Sequence, residues 1–171
     1  EAIWKDENTI YIKGNQEYSG RETWVEGDYS NAAFFEALNV FGGEVSVSNL
    51  PEKSLQGDRV YGKMFDLLKK GTPALNISDC PDLAPILFAI AAAKNGGGFS
   101  GTRRLRIKES DRGRAMVTEL AKFGASSSVY DDEIVIYPAD FKTPSSELYG
   151  HNDHRIVMSE AILLTLTGGL I

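Results

Sequence analysis

The sequence predicts an α+β fold made of repeated β-α-β-α-β-β units, with buried helices and outer sheets. Two observations carry this expectation. The first is internal repetition. Asp28, Asp82 and Asp153 each precede an apolar stretch of helical length. Gly42, Gly96 and Gly168 close those stretches 14 or 15 residues later. A second helical stretch follows in the first two units, preceded each time by Asp-Arg, at Asp58-Arg59 and Asp111-Arg112. The units therefore recur at offsets of 54 residues (Asp28 to Asp82) and 53 residues (Asp58 to Asp111). The second observation is the kind of helix. Ile86-Leu87-Phe88-Ala89-Ile90 is apolar all round, and a helix of that composition has to be covered on several sides.

Taken in order, the chain opens at Glu1 and reaches a strand pattern at 9–13. A helix follows over 31–41, stopped by Gly42-Gly43, then a strand over 44–48, a helix over 59–70 and a strand over 74–77. The second unit reads as a helix over 83–94, strands at 98–101 and 104–108, a helix over 112–123, and strands at 126–130 and 133–137. Asp131-Asp132 makes the hairpin turn between the last two. A third unit starts with a helix over 155–167 and, after Gly168-Gly169, another strand begins at Leu170-Ile171. The units span about 28–80, 81–140 and 150–171. Asp28, Asp58 and Asp111 suit helix N-caps. Pro81 suits the first helical position, so Ser78 or Asp79 is the expected cap there, which frees Asp82 for other work. These boundaries fit a piece of a longer protein.

Composition narrows the function. At 171 residues and 42 % hydrophobic, the chain has enough apolar material for a real core. A net charge of −6 argues against nucleic acid or an anionic membrane as partner. The longest apolar run, 84–93, is too short to span a bilayer. A single cysteine, Cys80, excludes an internal disulfide and fits a reducing, cytoplasmic setting. Cys80 precedes a helix, where a thiol can become acidic, but it reads more simply as a small, partly buried residue.

One stretch departs from the acidic background. Residues 103–114 hold six basic and two acidic side chains, a local +4. A cationic patch in an acidic protein points to a small anion held at one place. Leu105 and Ile107 alternate with Arg104, Arg106 and Lys108, which reads as a strand with one basic face. The helix after it carries Met116, Leu120 and Phe123 on one stripe. Arg112 and Arg155 fall in first helical turns, where the dipole repels cations, so an anion is expected beside them. Paired guanidinium forks suit a carboxylate. His151 and His154 flank Asp153, but without a further His or Cys cluster they make a weak metal site.

Three segments carry a resemblance. Lys108-Glu109-Ser110-Asp111-Arg112 follows Leu105-Arg106-Ile107. Gly27-Asp28-Tyr29-Ser30-Asn31-Ala32-Ala33-Phe34-Phe35 matches a Gly-Asp-x-Ser-x-Ala-x-Phe pattern. Asn152-Asp153-His154-Arg155-Ile156-Val157-Met158 matches Asn-Asp-His-Arg-x-x-Met. In this order, and spanning most of the chain, they resemble the enolpyruvyl transferases, and within them the EPSP synthase branch.

The resemblance implies a two-lobe enzyme of which this chain is most of the lobe carrying the C-terminal half. Residues 1–27 would cross over from the missing second lobe, and the third of three units would be cut short. It implies transfer of the enolpyruvyl group of phosphoenolpyruvate to the 5-hydroxyl of shikimate 3-phosphate, with release of phosphate, in cytoplasmic aromatic amino acid biosynthesis. No metal or organic cofactor is expected. Asp82 would be the catalytic base at the attacking hydroxyl. Glu109 would carry a proton to and from the methylene carbon, provided burial raises its pKa. Lys108 would donate to substrate oxygens, while Arg112 and Arg155 hold phosphoenolpyruvate with His154 beside them. Arg104 stands where some members have an asparagine that touches the sugar-like substrate. A late lysine of the site would lie beyond Ile171, and a chain with half a site is expected to be inactive alone. Three other readings compete: a lobe of the relative acting on UDP-N-acetylglucosamine, an RNA-binding or RNA-end-processing module of similar unit design, and a purely structural repeat. The Lys-Glu-Ser-Asp-Arg sequence favours the shikimate branch, and the net charge disfavours RNA.

Overall fold

The structure is a computed structural model that describes residues 2–168. Five α-helices form its interior. α1 (Tyr29–Val40), α3 (Ala84–Ala93) and α5 (His154–Thr167) pack on one another. α2 (Tyr61–Lys70) lies against α1 and α3, and α4 (Arg112–Lys122) against α3 and α5. α3 is the centre: every residue from Ala84 to Ala92 is buried, as its all-round apolar sequence requires. α2 and α4 are amphipathic instead. α4 buries Met116 and Leu120, with Phe123 at its C-cap completing the stripe read from the sequence, and leaves Arg114 and Thr118 outside.

A four-stranded sheet covers this core in the order β3-β4-β6-β5, made of β3 (Ala74–Asn76), β4 (Gly97–Ser100), β5 (Ser127–Val129) and β6 (Glu133–Ile136). β3 and β4 are parallel, as a crossover through α3 demands, and the other pairs are antiparallel. Leu75, Phe99, Ile134 and Ile136 point inward, and Phe99 meets Phe88 of α3 at 4.8 Å between ring centres. The turn from α3 into β4 needs Gly96: its φ is +77°, and a Cβ there would meet the Ile136 carbonyl oxygen at 2.8 Å. This unit is β-α-β-α-β-β, as the sequence reads. A separate antiparallel hairpin, β1 (Ala2–Asp6) and β2 (Thr9–Ile12), is exposed along its length; its second strand was legible and its first was not.

Several expectations are corrected. No strand forms over 44–48. The Asn39 side chain brackets Val45, donating to its carbonyl (2.7 Å) and accepting its N–H (2.6 Å), so the backbone groups of a sheet ladder are taken locally. The first unit therefore shows its helix pair without that strand, and β3, which falls before residue 81, pairs with β4 of the second unit.

Nor is 104–108 a strand. It is part of a 3-10 turn, Thr102–Ile107, with Leu105 buried and Ile107 82 % exposed, so the two do not share a face. Asp132 draws the backbone in, accepting from the N–H groups of Gly101 (3.1 Å) and Arg103 (2.8 Å). Arg103 and Arg106 reach Asp131, and Arg104 donates to the Ser78 carbonyl at 2.7 Å. Much of the basic stretch is thus neutralised within the fold.

Asp28, Asp111 and Asp153 cap their helices. Asp58 does not. It lies inside a 3-10 turn, Gly57–Val60, and its buried carboxylate accepts from the Ser30 hydroxyl. Neither Ser78 nor Asp79 caps the next helix: a 3-10 turn, Pro81–Leu83, leads into α3 without a side-chain cap, and the Ser78 hydroxyl donates to Asn76 at 2.6 Å. Cys80 is buried, and burial, aided by the charges of Asp58 and Asp79, pushes its thiol up to about 12, which leaves it inert. The expected strand at Leu170-Ile171 lies outside the described residues. Among the described residues no helix is long and apolar enough to cross a membrane.

Because α3 is the shared surface of the other four helices and the sheet, Phe88→Ala should cost about 3–5 kcal/mol in a urea unfolding curve, the range for emptying a buried phenylalanine site. A loss under about 1 kcal/mol, below that range, would show that the site collapses around the cavity.

Candidate active site

Three segments bring their N-terminal ends together: the 3-10 turn before α3, the start of α4 and the start of α5. Asp82 is the hub. Its Oδ1 meets Lys108 Nζ at 2.9 Å and Arg112 Nη1 at 2.7 Å, and its Oδ2 meets Arg155 Nη2 at 3.3 Å. Arg112, with a side chain only 1 % exposed, is wrapped by acids. Its Nε donates to Asp153 Oδ2 at 2.9 Å and its Nη2 to Glu109 Oε2 at 2.5 Å and Asp153 Oδ1 at 3.3 Å. Asp153 is buried and does three jobs: it pairs with Arg112, caps α5 through the Arg155 N–H (3.0 Å) and accepts from the Ser110 hydroxyl (3.1 Å).

Five of the six residues singled out in the sequence thus share one network: Asp82, Lys108, Glu109, Arg112 and Arg155. His154 is adjacent in the chain and exposed. The anion expected beside the two arginines is in part the protein's own, since three carboxylates answer three cations. Glu109 is half exposed rather than buried, so the burial expected of a proton carrier is not supplied by this chain. Asp153 escaped the sequence reading as an arginine partner. Its place ahead of a helix is explained by capping alone, and only the fold brings it 41 residues back along the chain to Arg112.

Arg155 differs from Arg112. It is 8 % exposed, stands over the Phe34 ring at 5.9 Å, and its Nη1 is buried without a hydrogen-bond partner. A buried guanidinium nitrogen with no acceptor is costly, and it marks a place where an acceptor fits. The electrostatics favour ionised acids. Burial opposes ionisation of Asp82, but the Lys108 hydrogen bond, the charges of Arg155 and Lys108 and the Arg112 hydrogen bond outweigh it and hold the carboxyl below its ordinary range. Burial likewise opposes ionisation of Asp153, and the Arg112 bond, the Arg155 N–H, the Arg112 charge and Ser110 overcome it. Asp58, nearby, goes the other way: burial raises it more than the Ser30 hydrogen bond lowers it. His151 turns away to Glu119, and among the described residues no group of His, Cys, Asp and Glu is placed to hold a metal.

The comparisons with known proteins meet this geometry from outside. The family model for EPSP synthase (3-phosphoshikimate 1-carboxyvinyltransferase) matches residues 2–169. The chain belongs to the EPSP synthase family. It is 37 % identical to the 3-phosphoshikimate 1-carboxyvinyltransferase of Brachyspira hyodysenteriae over 95 % of its own length and 43 % of the relative's. With the enzymes of that name from Clostridioides difficile and Clostridium acetobutylicum the identities are 36 % and 38 %, covering 95 % and 90 % of this chain but 41 % and 39 % of theirs. The chain therefore spans about two fifths of the length of these EPSP synthase relatives. In fold it is similar to the EPSP synthase of Acinetobacter baumannii, with a TM-score of 0.74 at 21 % identity, over 99 % of this chain and 46 % of that one.

Removing Asp153 tests how the network is held. Asp153→Ala strips Arg112 of its buried partner and α5 of its cap, and should cost about 3–5 kcal/mol by chemical denaturation. The pH dependence has a definite sign. Asp82 and Asp153 are depressed in the folded state, so their stabilisation is present above the ordinary carboxylate value of 3.8 and disappears as pH falls through their lower folded values. Asp153→Asn should flatten the acid limb of a stability-against-pH curve.

Proposed function

We propose that this chain forms one face of an enolpyruvyl transfer site, part of a longer cytoplasmic enzyme that joins phosphoenolpyruvate to the 5-hydroxyl of shikimate 3-phosphate and releases phosphate. The observation that carries the proposal is the buried, partnerless Nη1 of Arg155 beside Asp82, at the meeting of three helix starts. That nitrogen offers a ready donor to a substrate carboxylate or phosphate, and the charges of Lys108 and Arg112 stand beside it in the same network. His154, exposed at the first position of α5, is the chain neighbour of Arg155.

The chemistry needs a base, an acid and charge stabilisation. Asp82 accepts the proton of the 5-hydroxyl as its oxygen attacks C2 of phosphoenolpyruvate. Glu109 delivers a proton to the C3 methylene, giving a tetrahedral adduct. Glu109 then takes a proton back from C3 as the C2–O bond to phosphate breaks, which restores the double bond, and the departing phosphate carries away the proton that Asp82 took from the 5-hydroxyl. Arg112, Arg155 and Lys108 stabilise the negative charge on the carboxylate and the departing phosphate. Glu109 is half exposed here, and the missing lobe closing over it would supply the desolvation that tunes its pKa. These steps call for no cofactor, nucleic acid or membrane. The family membership supports this reading over the UDP-N-acetylglucosamine relative and over an RNA module.

In the full-length enzyme, Glu109→Gln keeps the shape but removes the proton carrier. Turnover should fall about 10²–10⁴-fold, the typical contribution of a general acid–base. Turnover within about twofold of wild type would remove Glu109 from the mechanism. The 171-residue chain alone, given both substrates, should release no phosphate at a steady rate, because substrate charge on the far side would be met by water rather than protein.

A further inference from the structure

A second buried polar cluster lies behind the site, on the far side of the turn that leads into α5. The turn spans 149–152. His151 and Asn152 both adopt left-handed backbone, with φ of 50° and 55°, and the Asp153 N–H closes the turn on the Gly150 carbonyl at 2.8 Å. Non-glycine residues hold such angles only when their surroundings enforce them. Here the enforcement comes from α4. Glu119, 1 % exposed, accepts the Tyr149 N–H at 3.0 Å through Oε2 and the His151 Nε2–H at 2.8 Å through Oε1. Lys122 pairs with Glu119 at 2.7 Å and donates to the Glu147 carbonyl at 2.8 Å. The residue after this turn is Asp153, which grips Arg112 and caps α5 at Arg155.

Glu160 of α5 completes the cluster and is fully buried. Neither of its oxygens meets a donor, while the Glu119 carboxyl is within hydrogen-bond reach. The groups facing it are few. α4 supplies Glu119 and Lys122, and the turn supplies His151, bound to Glu119. α3 packs on α5 and carries no titratable residue over Ala84–Ala93. α1 also packs on α5, but its Tyr29 hydroxyl donates to the Pro51 carbonyl and its Glu36 faces Tyr61.

We propose that Glu119 is a positioning residue: braced by the buried Glu160, it holds the 149–152 turn and thereby sets Asp153 and Arg155 at the site. The brace depends on one proton. As an acid, Glu160 can donate to Glu119; as a carboxylate it faces a second carboxylate in a dry environment. Burial, together with the Glu119 charge, pushes Glu160 up to about 7. Burial opposes ionisation of Glu119, but Lys122, the Tyr149 N–H and His151 outweigh it and keep it ionised. The sign follows. Because the folded value of Glu160 lies above its ordinary 4.5, its stabilising contribution is full below about 4.5 and is lost as pH rises to about 7. Within the folded protein the turn loosens as pH rises through about 7.

The proposal rests on Asp153 and Arg155 being site residues, but its test does not use turnover, so it stands or falls apart from the enzymatic reading. The 171-residue chain, labelled with ¹³C at the glutamate carboxyls and ¹⁵N at the amides, is titrated across neutral pH alongside Glu160→Gln and His151→Gln. The Glu160 carboxyl carbon should ionise near pH 7, and the amides of Tyr149, His151, Asp153 and Arg155 should shift with the same midpoint. The amide transition should vanish in Glu160→Gln, which keeps a hydrogen-bond donor facing Glu119, and persist in His151→Gln. An amide transition that survives Glu160→Gln, or that disappears with His151→Gln, would overturn the proposal. So would a Glu160 carboxyl that ionises while the amides of the turn stay still.

Discussion

A guanidinium taken out of water governs this structure. Arg112 is among the largest fully buried side chains of the protein, and a charge that is 99 % covered is tolerated only where acids and hydrogen bonds surround it. Three carboxylates do so, each from a different segment: Asp82 before α3, Glu109 before α4 and Asp153 before α5. Satisfying one side chain therefore fixes where three helices begin. The net stability from such a cage is modest, because desolvation offsets much of the Coulomb attraction. The constraint it imposes is large, because losing any partner leaves a buried charge exposed to no compensation.

Arg155 sits in the same cage on different terms. Arg112 has all three nitrogens engaged, whereas Arg155 reaches Asp82 at 3.3 Å with one nitrogen and keeps another buried and unused. Asp82 is shared among three cations, so it neutralises none of them fully. The network is thus balanced in formal charge and uneven in hydrogen bonding. That unevenness is what makes an incoming carboxylate or phosphate a better partner for Arg155 than further rearrangement of the protein would be. The second cluster, at Glu119 and Glu160, bears on the same point from behind. The turn it holds decides the direction in which Asp153 and Arg155 leave α5.

Repetition explains the helical interior better than it explains the sheets. α2 fills the groove between α1 and α3, and α4 fills the one between α3 and α5. Between α1 and α5 the described residues leave an apolar groove of about 280 Å³, lined by Phe34, Phe35, Leu38, Met158, Ala161 and Ile162 among others. The two equivalent grooves are filled by amphipathic helices of the first and second units, and the third carries none in the described chain. The sheet is less regular, because ladders depend on neighbours. Where Asn39 satisfied Val45 locally, no strand formed, although the helices on either side were those expected.

The helices were legible in the sequence because they depend on residues close by: an aspartate to cap α1, α4 and α5, an apolar run to bury, a glycine able to take positive φ at Gly42, Gly96 and Gly168. The candidate site was legible as a set of names, because Lys108 through Arg112 and Asp153 through Arg155 form compact motifs. Alternation misled at 104–108, where Leu105 is buried and Ile107 faces water. The cause was Asp131 and Asp132, more than 20 residues away, drawing the backbone and two arginines into a 3-10 turn. Glu119 likewise meets Tyr149 and His151 only because the fold brings them back from about 30 residues downstream. Local capping, periodicity and apolar runs were set by the sequence alone, since their energetics involve neighbours a few positions apart. Which acid answers Arg112, which nitrogen of Arg155 stays unpaired and which carboxyl must keep its proton were decided only by tertiary structure, because burial and charge proximity exist only once distant segments share one dry space.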